Sequence, residues 1–173
     1  KKPNSFSISL WKTIQSFTEG SKMDITGIGL GLGKRLKWPD DYFTILHSVN
    51  FLRYELEDYQ TTLFNFNNGY SNNINYSTTF SRNSIFNPIY PRSGSQFSLS
   101  LELTPPYSIF NNKDYDNLDD QEKYKLLEYN KFKFNGTWYS ALLGDLVFRS
   151  HFEFGFLGTY NNEVGLPPFE RFF

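Results

Sequence analysis

One ribbon near the end of the chain restricts the possible folds more than any other stretch. From Leu146 onward, Leu146, Phe148, Phe152, Phe154 and Phe156 fall on one side of a period-two pattern, and Val147, Arg149, His151, Glu153 and Gly155 on the other. That is a strand with an oily face and a charged face. Its apolar side needs either a second sheet, as in a soluble sandwich, or lipid, as in a membrane barrel, and alternation alone does not choose between them. Strand length and repetition make the choice.

The same alternation recurs along the chain. Phe6, Ile8, Leu10 and Ile14 alternate with Ser5, Ser7, Ser9 and Thr13, predicting a strand over Ser5 to Phe17 that ends in a polar turn, Thr18 to Lys22. Ile28, Leu30 and Leu32 alternate with Gly27, Gly29, Gly31 and Gly33. After a WPDD turn, Trp38 to Asp41, the next strand carries Phe43, Ile45, Val49 and Phe51 on the face that also holds His47. Ile74, Tyr76, Thr78 and Phe80 then alternate with Asn75, Ser77, Thr79 and Ser81. A turn containing Pro88, Pro91 and Gly94 delivers Phe97, Leu99, Leu101 and Leu103 against Gln96, Ser98, Ser100 and Glu102, which makes a hairpin. Phe132, Phe134 and Trp138 stand opposite Lys131, Lys133, Asn135 and Thr137.

About seven strands of roughly nine to thirteen residues result, whereas globular strands run to about five or six residues and tilted membrane strands to about nine to eleven. Connections are expected to be tight at Lys34 to Asp41, Arg82 to Ser95 and Ala141 to Asp145, and extended at Tyr54 to Asn72, Pro105 to Glu128 and after Gly158. Short turns on one rim and long loops on the other are the outer-membrane arrangement. The predicted fold is therefore all-β, an antiparallel transmembrane β-barrel segment. Phe97, Leu99, Leu101, Phe148, Phe152, Phe154 and Phe156 are expected to face lipid, and Trp38, Tyr42, Phe43, Tyr54, Tyr129 and Trp138 to supply aromatic girdles. Such a segment has an open edge at each end, so further strands are expected from a longer polypeptide.

Other chemistries find little support. A net charge of −1 over 173 residues gives no reason to expect nucleic acid, and the absence of cysteine removes disulfides and thiolate metal sites. The alternating glycines lack the strand before and helix after that a phosphate loop requires; the alternative is that they leave room for another group to pack on that face. Asp114, Asp116, Asp119, Asp120 and Glu122 lack the glycine of a calcium loop, so a solvated loop with about one turn of helix is expected. His47 is isolated, and His151 with Glu153 has no nucleophile, so neither a metal, a cofactor nor an enzyme is expected.

Two stretches carry a resemblance. NPIYPRSGSQFSLSLEL resembles the strand, turn and strand of the bacterial surface-antigen barrels, and GLPPFERFF resembles the run that opens their sixth extracellular loop. The likeness covers essentially residues 1–173, as a partial barrel domain that ends within that loop, without periplasmic repeat domains. It implies a piece of a barrel of about sixteen strands. It also implies a non-enzymatic insertase in the outer membrane of a Gram-negative cell, with unfolded barrel proteins as substrates, outer-membrane lipid as surroundings and accessory lipoproteins as partners. A passive porin or uptake channel is the alternative. On the resemblance, Pro167, Pro168, Phe169, Glu170, Arg171 and Phe172 are expected to seat an inward-folding loop, and Glu102, Lys133, Arg149 and Glu153 to offer it charged partners. Ordinary water-facing lumen is an equal reading of those four charges. A cross-strand pair of Glu102 with Lys133 is also expected.

Overall fold

A computed structural model describes residues 4–16, 20–59, 67–111, 113–115 and 117–171. Seven antiparallel strands form one sheet, each paired only with its neighbours in sequence. They are β1 (Asn4–Ser16), β2 (Lys22–Arg35), β3 (Phe43–Glu57), β4 (Gly69–Asn83), β5 (Gly94–Leu103), β6 (Asn130–Leu143) and β7 (Leu146–Gly158). Lengths of 10 to 15 residues exceed the globular norm of about five or six. The sheet is not closed on itself, because β1 and β7 do not pair.

Period-two geometry sorts the side chains as the sequence requires. On the outer face Phe148, Phe152, Phe154 and Phe156 remain 55–60% exposed, and Phe6, Ile8, Leu10 and Leu32 are as open. A sandwich would bury that face under a second sheet. Among the described residues no such layer exists. The inner face is polar, with Ser48 against Ser77 at 2.7 Å, Asn50 against Asn75 at 2.9 Å and Thr79 against Ser100 at 2.9 Å.

Several boundaries differ from expectation. The β3–β4 ladder continues through Tyr54↔Ser71 to Leu56↔Gly69, so that connection shrinks to residues 58–68. It becomes similar in length to the β4–β5 connection, 84–93. The β6–β7 turn tightens to Gly144 and Asp145, because a bulge between Ala141 and Leu143 absorbs the extra residue and Gly144 takes φ 57°. The 104–129 connection holds two single helical turns, α1 (Tyr107–Phe110) and α2 (Asp120–Lys123), the second capped by the Asp119 carboxylate. Phe17, Thr18 and Asp116, each assigned a place by the sequence, lie outside the described residues.

The glycines of β2 do accommodate another group. A Cβ on Gly27 would stand 2.3 Å from the Trp11 ring, and one on Gly29 would stand 3.4 Å from the same ring and 2.7 Å from Asn50 Oδ1. The indole lies flat over the glycine track because nothing projects from it. Gly27→Val should therefore overpack the β1–β2 face and destabilise it by about 1–3 kcal/mol. Adding Trp11→Ala should restore most of that loss in an unfolding titration, since the two effects share one contact.

Candidate functional site: a loop seated on the inner face

Beyond Gly158 the chain turns back over the sheet. Asn161 organises the reversal: its backbone N–H donates to Thr159 Oγ1 at 3.3 Å, its side-chain oxygen accepts from Glu163 N at 3.0 Å, and its carbonyl accepts from Gly165 N at 3.3 Å. Gly165 sits at φ 77°, a conformation that favours glycine. Pro167 and Pro168 then fix the backbone into one turn of 3-10 helix, Pro168–Glu170. That turn carries the two residues that dock.

Phe169 stacks on Tyr54 of β3, with ring centroids 4.8 Å apart and planes 13° from parallel. Beneath it, the Glu170 carboxylate is only 9% exposed. Its Oε1 accepts from the Tyr54 hydroxyl at 3.0 Å and from Asn73 Nδ2 of β4 at 2.9 Å, while Oε2 accepts from Lys131 Nζ of β6 at 2.9 Å. Three strands thus converge on one side chain. Lys131 is 8% exposed, so the ion pair is buried, and the two neutral donors share the remaining acceptor capacity of the carboxylate.

A fourth strand joins through Tyr129, which is fully buried. Its hydroxyl donates to Glu102 of β5 and accepts from Asn73 Nδ2 at 2.8 Å. Thr104 fixes its backbone, accepting from Tyr129 N at 2.6 Å. Burial, then the carboxylates of Glu170 and Glu102, push the Tyr129 hydroxyl pKa upward. It therefore stays protonated and keeps donating. Apolar support comes from Leu127, packed with Tyr54 and Tyr129 and flanked by Met23, Ile25, Leu52 and Leu157.

The expected residues separate into groups. Pro167 and Pro168 are buried under the loop, Phe169 and Glu170 make the contacts above, Arg171 is exposed, and Phe172 lies outside the described residues. Glu102 reaches the network through Tyr129. The register sets Lys131 directly opposite Glu102 and Lys133 opposite Ser100, so Lys133 is a diagonal neighbour of Glu102 on the same face rather than its directly opposed partner. Glu153 stands opposite Asn135, beside His151 at 4.0 Å. Arg149 stands opposite Tyr139, eight residues along β6 from Lys131 and hence roughly 27 Å down the strand. The structure does not bring Arg149 or Glu153 to the loop.

Tyr54 and Tyr129, expected in an aromatic girdle, are instead buried in this seat at 6% and 0% exposure. Trp38, Tyr42 and Trp138 remain exposed, and Phe43 packs between Phe80 and Phe97. Tyr54, Asn73, Tyr129 and Lys131 are the seat residues that sequence reasoning missed as such. Lys131 was legible only as one more inward polar position.

Long antiparallel strands with a bare apolar outer face, a polar inner face and a loop folded onto that inner face define the wall of a membrane β-barrel. The chain belongs to the Omp85 superfamily, whose domain model matches residues 1–173. That superfamily is associated with insertion and assembly of outer-membrane proteins. No curated protein matches the chain.

Proposed function

We propose that this chain is the barrel-wall segment of a BamA-type assembly factor, which inserts unfolded β-barrel proteins into the outer membrane without a covalent step. The observation that carries the reading is the Glu170 seat, which ties a lumen-directed loop to β3, β4 and β6 at once. A passive channel is better served by an open lumen. A loop fixed by a buried carboxylate instead fills part of it and braces the wall.

On this reading residues 1–173 form the static side of a barrel of about sixteen strands. The working edge lies elsewhere in the closed barrel. There an incoming strand satisfies its backbone groups by β-augmentation before it meets hydrocarbon, which removes the main cost of insertion. The exposed phenylalanines of β7 hold the wall in lipid. Unfolded barrel polypeptides are the substrates, and accessory lipoproteins attend the complex.

The test reconstitutes the full-length protein in vesicles and follows two signals. Insertion of an urea-unfolded barrel protein should be faster than into protein-free vesicles, while single-channel conductance in planar bilayers stays small and intermittent. Large steady conductance with no acceleration of insertion would establish the channel reading instead.

A further inference from the structure

At the opposite end of the inner face from the loop seat, the β4–β5 turn folds against the β6–β7 hairpin. Asn87 Oδ1 accepts from Ile89 N at 3.2 Å and Tyr90 N at 3.3 Å, which holds the tip of the turn in one shape. Arg92 fastens it across, pairing with Asp145 at 3.1 Å and donating to the Gly144 carbonyl. Between the two turns lies a cavity of about 450 Å³, walled by Ile89, Tyr90, Pro91, Tyr139, Val147 and Arg149. Ile89 and Tyr90 are each 78% exposed, so the rim is apolar and accessible.

Charge in this cavity is unbalanced. Arg92 is matched by Asp145, but Arg149 has no hydrogen-bond or ion-pair partner among the described residues. One spare guanidinium therefore stands beside two phenol rings and three aliphatic walls. A ligand that satisfies all of them carries one carboxylate next to an aromatic or branched aliphatic group.

Location selects the source. Tyr139, Val147 and Arg149 share the inner-face register, so a lipid headgroup would have to leave the apolar belt to reach them. A polypeptide in the wet interior reaches them directly. We infer that this cavity binds an extended polypeptide segment in which a carboxylate adjoins an aromatic or branched aliphatic side chain, with Arg149 taking the carboxylate. The inference rests on the barrel-insertase reading and adds what feature of an unfolded chain the interior holds.

The test measures binding alone, so that its failure leaves the insertion assay untouched and the reverse. Full-length protein in neutral micelles is titrated with a fluorescent, end-blocked hexapeptide alternating valine and serine around one phenylalanine–glutamate pair, and with its glutamine counterpart. The glutamate peptide should bind about tenfold tighter. That preference should vanish in Arg149→Gln. It should vanish as well in Val147→Glu, which supplies an internal carboxylate and serves if the first variant misfolds. Equal binding of the two peptides, or a preference surviving both variants, overturns the inference. So does displacement of the glutamate peptide by short-chain phosphatidylglycerol at equal concentration, which would mark a lipid phosphate site.

Discussion

Glu170→Ala should release the loop from the wall while the sheet stays intact. The substitution strands a buried ammonium, Lys131, and deprives Tyr54 and Asn73 of their shared acceptor. Breaking a buried ion pair from one side costs about 3–5 kcal/mol. The chain contains no cysteine, so a single Val164→Cys, at a position 4% exposed in the seated loop, gives a clean probe. Its maleimide labelling should accelerate about a hundredfold on adding Glu170→Ala. The double replacement Glu170→Leu with Lys131→Met removes both charges and should cost far less than either alone. Unchanged labelling in the single variant would mean that the loop is held by its prolines and Phe169 rather than by the carboxylate.

The second large effect is on the other face. Phe154→Arg places a guanidinium on the phenylalanine row of β7, where Phe154 is 59% exposed and packs edge-on to Phe132. If that row lies in hydrocarbon, the cost near the bilayer midplane is about 2–4 kcal/mol. The neighbouring Glu153→Arg, on the polar inner face, should cost little. Denaturant titration of the folded protein in bilayers compares the two directly. Equal costs would show that the phenylalanine row meets water, and the membrane assignment would fall with it.

Strands and faces were legible because alternation is a local signal, complete within each ribbon from Phe6 to Phe156. The seat was legible in half. The run from Pro167 to Glu170 is legible through its resemblance to the inward loop of the surface-antigen barrels, but its receptors are not. Tyr54, Asn73 and Lys131 lie 116, 97 and 39 residues from Glu170 in the chain, and none carries a local mark of docking: Tyr54 reads as a girdle residue and Lys131 as an ordinary inward one. Tyrosine adds its own ambiguity, since an amphipathic ring suits a membrane interface and a buried hydrogen-bonded site equally well. The far ends of β3 and β4, Tyr54 to Glu57 and Gly69 to Asn72, read as connection because the polarity of the faces inverts there, with Tyr54 and Leu56 buried inward and Arg53, Glu55 and Glu57 on the other face. Those residues nevertheless continue the ladder.

Strand β5 stops at Leu103, opposite Tyr76, and so leaves the upper part of β4 without a strand beside it. The returning chain covers it: Asn72 N donates to the Lys125 carbonyl and Leu127 N to the Asn72 carbonyl, each at 2.9 Å, a parallel bridge formed by a connection rather than a strand. Residues 124–129 therefore behave as wall, while residues 117–119 are largely open to solvent. A tag, label or sequence exchange belongs in that second stretch. Placed in the first, it would bare a sticky β edge beside the Glu170 pocket.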